Sequence, residues 1–138
     1  MRTLILLFVA ILSTSFTNIV EDNLNLEITK VKKAENNFRI LTLKLSNISD
    51  KEFKFFTWSC SNQKLFSANN ILIEIPEKQC DKDNIVINKL SPNKSKIFKL
   101  KVLNKGENLK FKITFNCTMI PETKQTRTIQ IVSNEIQL

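Results

Sequence analysis

Histidine and tyrosine are missing from this 138-residue chain, glycine occurs once and proline three times. Without histidine there is no Ser-His-Asp or Cys-His nucleophile–base pair, and the commonest zinc ligand is gone. The single glycine, Gly106, excludes a Gly-rich phosphate loop. So little Gly and Pro also excludes collagen-like and Pro/Gly-rich low-complexity chains. Arginine is scarce: of the 21 Lys and Arg residues, only Arg2, Arg39 and Arg127 are Arg. Bidentate recognition of bases and phosphates favours Arg, so a net charge of +8 carried mainly by Lys is a weak nucleic-acid signature. No nucleic-acid partner is expected. Such a surface suits loose attraction to anionic glycans, lipid headgroups or acidic proteins, and a solvated basic surface is the simpler reading.

What is present describes one exported globular domain. The composition, 42% hydrophobic and 25% charged, is that of a chain able to build a core. Met1-Arg2-Thr3 supplies a positive start, residues 4–12 are an unbroken apolar run, and Ser13-Thr14-Ser15-Phe16-Thr17 follows with small residues. That is the order of a secretory signal peptide over residues 1–17, with cleavage after Ser15 or Thr17. The apolar run is shorter than the roughly 20 residues that span a bilayer, so no transmembrane segment is expected in the mature chain. Residues 18–138 form the domain, periplasmic or secreted. Removing the leader takes away Arg2 and no acid, leaving 20 basic against 13 acidic residues.

The pattern of the domain is that of strands. Leu24, Leu26 and Ile28 alternate with polar residues, and residues 32–37 form a polar turn. Residues 41–60, LTLKLSNISDKEFKFFTWSC, read as a hairpin at the centre of the fold. Leu41, Leu43 and Leu45 face inward, a polar turn follows, and an aromatic strand runs from Phe53 to Trp58. In that strand Phe53, Phe55 and Thr57 share one face while Phe56 and Trp58 share the other. A bulge or bend that lets both sets reach the core is expected; if Phe56 and Trp58 are exposed instead, they form the candidate binding patch. Leu65 and Phe66 tuck against the sandwich, and residues 71–75 form a short strand stopped by Pro76. Ile85, Val86 and Ile87 begin another strand, and Phe98, Leu100 and Val102 face inward on the next. Leu109, Phe111, Ile113, Phe115 and Cys117 give the cleanest period of two. Residues 121–124 turn the chain into a last strand marked by Arg127, Ile129 and Ile131, with a bulge at Ser133-Asn134. No amphipathic helix is visible. About seven or eight short strands in this length fit an all-β, immunoglobulin-like antiparallel β-sandwich. The 41–60 stretch then supplies strands B and C, and the Leu109 run strand F.

Export permits disulfides, and the three cysteines leave one unpaired within the chain. Cys60 ends the aromatic strand and Cys80 lies two elements later. Strands C and F of a sandwich run antiparallel, so the end of C lies beside the start of F, whereas Cys117 is near the end of F. A Cys60–Cys80 bond is therefore preferred over Cys60–Cys117, and Cys117 reads as a small buried hydrophobe. Asp81-Lys82-Asp83-Asn84 is oxygen-rich but lacks the turn Gly and distal Glu of a calcium loop, so a solvated loop is expected. Asn47, Asn93 and Asn116 each open an Asn-x-Ser/Thr triplet, a frequency that chance supplies in an Asn-rich chain. Lys99 and Lys101 should lie on the opposite sheet from Lys110 and Lys112, giving two modest patches and no groove. No catalytic residues, cofactor or metal site are expected.

The segment Leu45-Ser46-Asn47-Ile48-Ser49-Asp50-Lys51 and the later Leu90-Ser91-Pro92-Asn93-Lys94-Ser95 resemble bacterial immunoglobulin-like domains. There an Asn-x-Ser/Thr-Asp turn joins two core strands and a Leu-x-Pro-x-x-Ser turn leads into strand E. With Trp58-Ser59-Cys60 and the closing Ser133-Asn134-Glu135-Ile136-Gln137-Leu138, the chain is most similar to small exported proteins of Bacteroidota-type bacteria. The resemblance covers most of residues 24–138 and, being built on turns, implies fold rather than activity. A more distant similarity is to the bacterial intracellular proteinase inhibitor fold, from which export and the cysteines depart. The expected function is a non-enzymatic exported β-sandwich module that is structural or binds a protein or glycan partner. A protease inhibitor presenting sandwich-end loops is second, and a hydrolase with an unrecognised carboxylate site third.

Overall fold

A computed structural model of the chain describes residues 23–120 and 125–138. The leader expected at residues 1–17 and the turn expected at 121–124 lie outside the described residues. The first strands form where leucines alternate with polar side chains: β1 (Leu24–Lys33) and β2 (Phe38–Asn47) pair antiparallel around a turn in which Asn36 and Asn37 both adopt positive φ. Asn tolerates that conformation because its short side chain bonds locally. β3 (Phe53–Trp58) follows, then a single 3-10 turn (Asn62–Leu65) and β4 (Phe66–Ala68). The remaining strands are β5 (Ile73–Glu74), β6 (Ile85–Leu90), β7 (Ser95–Asn104), β8 (Lys110–Phe111), β9 (Ile113–Met119), β10 (Arg127–Val132) and β11 (Ile136–Gln137).

One sheet has the order β1-β2-β7-β5 and the other β10-β9-β3-β6, with β4 also on β9 and β11 paired to β8. These are the A-B-E-D and G-F-C-C′ orders of an immunoglobulin-like sandwich, and every pairing is antiparallel. One departure is that β6, in the C′ place, follows β5, in the D place, along the chain. β3 and β4 share one neighbour: Phe55 faces Met119 and Phe66–Ala68 face Phe115 to Ile113, so β4 resumes the line of β3 after an excursion.

Residues 41–60 are not a hairpin. β2 and β3 belong to different sheets, and the turn between them carries the chain across the sandwich, as a B-to-C connection must. Asn47 makes that crossing. It is 1% exposed, and its Nδ2 donates to the Lys51 carbonyl at 2.7 Å and the Leu90 carbonyl at 2.9 Å. Its Oδ1 accepts from the Ser49 N–H at 2.9 Å and the Ser49 hydroxyl at 2.7 Å. All four bonding positions of a buried amide are thus filled.

The core lies between the sheets. Leu41, Leu43 and Leu45 of β2 and Leu100 and Val102 of β7 meet Phe55, Ile113, Phe115 and Cys117 from the other sheet. Phe115 is the aromatic hub, with ring centroids 5.0 Å from Phe66, 5.5 Å from Phe98 and 6.0 Å from Phe55. The 71–75 segment forms less strand than expected: only Ile73 and Glu74 pair, and Ile71 is exposed. Gly106 serves space rather than φ, since a Cβ there would meet the Leu109 and Leu72 side chains at 2.9–3.1 Å, while Asn108 takes the positive φ. Ser133 breaks the last strand by exchanging its N–H, at 2.8 Å, and its hydroxyl, at 2.9 Å, with the backbone of Ile113.

Candidate functional site

β3 pairs with β6 over six residues without a register shift. The expected bulge is absent, and strict alternation decides the facing. Phe53, Phe55 and Thr57 are buried, and Phe56 and Trp58 lie half-buried on the outer face beside exposed Lys54. The core side of β3 is already filled by Phe55 and Phe115, which leaves the second aromatic pair outside.

β6 completes the surface. Ile87 lies opposite Phe56 and Ile85 opposite Trp58, so the four side chains form one outward block. Ile85, Val86 and Ile87 are 59%, 40% and 58% exposed. Of the other large apolar side chains at the surface, Ile71 and Leu72 are neighbours in one loop, whereas Val31, Ile48, Ile97 and Val132 lie on separate strands or turns. Isolated exposed hydrophobics are ordinary, whereas a contiguous aromatic–aliphatic patch marks an interaction surface.

The backbone of β6 is open as well. The Ser59 N–H bonds the Asn84 carbonyl at 2.8 Å, and the Lys54 carbonyl accepts from Ile120 on the opposite side at 2.9 Å. Antiparallel ladders alternate, so Val86, Asn88 and Leu90 turn their polar groups to β3, and Ile85, Ile87 and Lys89 turn theirs away. Among the described residues no strand lies beyond β6.

The loop at the head of this surface is rigidly built. Cys60 and Cys80 form a disulfide with Cα atoms 6.2 Å apart. Asp83, read from sequence as part of a solvated loop, is its anchor. One oxygen accepts from the Cys60 and Ser61 N–H groups at 3.1 and 3.3 Å; the other accepts from the Ser61 hydroxyl and, at 3.4 Å, from Lys64 Nζ. The Ser61 hydrogen bond, with help from the two amides and Lys64, holds the Asp83 carboxyl below its ordinary value of 3.8 against a smaller opposing effect of burial. Lys64 Nζ also sits 5.4 Å from the Trp58 ring centroid, and Asn62 Oδ1 accepts the Trp58 N–H at 3.1 Å. Trp58 is therefore held in place although it faces outward. Nothing in the spacing of Asp83 pointed to this role, because its donors lie 19 to 23 residues earlier.

Cys117 lies in the core, and burial pushes its thiol up to about 12. Among the described residues no three Cys, Asp or Glu side chains gather as a metal site would require. No described helix is long and apolar enough to cross a membrane.

No protein-family model matches the chain, and no curated protein matches it. Among solved structures it is similar to the crystal structure of the periplasmic chaperone SfaE, at 14% identity over 80% of this chain and 54% of that one, with a TM-score of 0.31. The chain thus spans about half the length of that structure. The immunoglobulin-like class stated above rests on this chain's own sheet order and register.

Proposed function

We propose that the chain is an exported, non-enzymatic binding module whose partner is a protein, engaged by adding an extended segment along β6. The observation that carries this reading is the open edge: β6 has no strand beyond it among the described residues and turns backbone groups outward, together with exposed Ile85 and Ile87 beside Phe56 and Trp58. A row of free N–H and C=O groups at strand spacing is matched by another polypeptide backbone and not by a sugar, which favours a protein over a glycan. Native edges are usually blunted by charge, bulges or shortness. Here β1 carries three lysines and a bulge, β5 has two residues and the edge strand β10 lies beside β1, but β6 is a regular strand whose first four residues are uncharged. Export is supported by the leader-like first 17 residues and by the disulfide.

A photoreactive phenylalanine at position 87, in protein exported by its producing cell, tests this. Irradiation should join position 87 to a polypeptide, the same group at exposed Thr128 on β10 should not label it, and Ile85→Lys should suppress the adduct. Equal labelling from both positions, or an adduct insensitive to Ile85→Lys, would overturn the reading.

A further inference from the structure

The outer face of the other sheet has a different chemistry. Strict alternation from Leu24, Leu26 and Ile28 would turn Lys30 and Lys32 toward the core. The register of β1 on β2 instead shifts between Ile28 and Lys30, leaving Thr29 as an extra residue. That bulge reverses the parity of the strand, so that Lys30 and Lys32 point outward. They meet lysines of β7 across β2. One cross-strand row reads Lys30-Thr42-Lys99, the next Lys32-Ile40-Lys101, and a third Glu27-Lys44-Ile97.

Five lysines therefore share one sheet face, which Lys30 and Lys32 join only through the bulge. Lysines at the two ends of a row are two strand spacings apart, roughly 10 Å, and successive rows are separated by roughly 7 Å. The spacing between rows is within the Debye length of about 8 Å at physiological ionic strength and the span of a row is only slightly longer, so the charges reinforce one another. Glu27 is the one acid in these rows, and among the described residues none of the five lysines makes an ion pair. Lys101 Nζ stands 4.0 Å from the Phe38 ring centroid, over an open hollow of about 370 Å³ that Lys32 and Lys33 also line. Glu35 is the acid at its rim. Ile97, 53% exposed, and half-buried Ile40 lie between the charges.

We infer that this face docks on an anionic phospholipid surface. A two-dimensional grid of lysines on a sheet matches a planar array of headgroups better than a linear polyanion, which would follow a groove. Lysine is a compact point charge suited to a diffuse negative surface, where arginine would be selected for bidentate contacts. The interleaved Ile97 and Ile40 give short apolar side chains a place at the headgroup boundary. This face lies on the sheet opposite β6, so the two surfaces operate independently.

The test is co-sedimentation of the exported protein with vesicles of phosphatidylcholine alone and of equal phosphatidylcholine and phosphatidylglycerol, with dextran sulfate as a soluble polyanion. Binding should require phosphatidylglycerol and weaken with salt. Each lysine removed should cost about fivefold in partitioning, so Lys32→Gln with Lys101→Gln should weaken it roughly 25-fold. Lys110→Gln with Lys112→Gln, in β8 and the link to β9 and outside the lysine-bearing sheet, should leave it unchanged. Unfolding midpoints of both variants check that each is folded, and the single substitutions Lys99→Gln and Lys30→Gln replace any variant that is not. Equal binding to both vesicle types, equal loss in the two double variants, or binding to dextran sulfate without binding to vesicles would each overturn the inference.

Discussion

Asn47 and Leu90 are 43 residues apart, yet the side-chain amide of one donates to the backbone carbonyl of the other at 2.9 Å in a buried setting. The bond links the β2–β3 crossing to the end of β6, and the Asn47 N–H reaches on to the Lys94 carbonyl at the head of β7. The Asn-x-Ser turn and the Leu-x-Pro turn, separate motifs in the sequence, are two sides of one network. Asn47→Ala should cost about 2–3 kcal/mol in urea unfolding, because it strands buried carbonyls. Asn47→Asp should cost more, since it aims a carboxylate at the Lys51 and Leu90 carbonyls. An alanine variant as stable as the parent would remove Asn47 from this role.

Asp83 gives the head of the β3–β6 surface a pH dependence. Its folded carboxyl titrates below the unfolded value of 3.8, so its stabilisation is full above that value and is lost as pH falls through the lower folded one. Asp83→Asn should be less stable at neutral pH, and the two unfolding midpoints should converge on acidification through the carboxylate range. A gap that persists at the acid end would mean that shape, and not charge, is what Asp83 supplies.

The cysteines separate by chemistry. Alkylation of native protein at neutral pH should leave Cys117 unmodified, because a buried thiol held near 12 offers almost no thiolate. Urea should expose it fully. Non-reducing digestion should yield a Cys60–Cys80 peptide, and serine at both positions should lower stability by about 3 kcal/mol on the chain-entropy estimate for a separation of 20 residues. Rapid native labelling of Cys117 would contradict its place in the core.

Proline distinguishes the two edges of β6. Val86 turns its N–H to β3 and Ile87 turns its N–H to solvent, so Val86→Pro should be less stable than Ile87→Pro by about 2 kcal/mol. Ile87→Pro should also block strand addition while leaving the fold intact. Equal losses would place the ladder one residue out of register.

The inward residues of β2, β7 and β9 were legible from their period of two, since that pattern directly encodes which side of a sheet a residue meets. So were the exclusion of histidine chemistry and the preference of Cys60 for Cys80. The facing of Phe56 and Trp58 was not. Each face of β3 carries two aromatic side chains, so periodicity assigns neither face, and the pair lies outside because Phe55, Phe66, Phe98 and Phe115 already fill the space between the sheets. The openness of β6 also depends on a neighbour's absence, which no local pattern records. Nor could the lysine face be read, because the Thr29 bulge that builds it depends on how β1 registers on β2. Asp83 was missed for the same reason, as its partners are brought to it by the pairing of β3 with β6. Alternation is a property of the chain, whereas edges, bulges and filled volumes are properties of its packing.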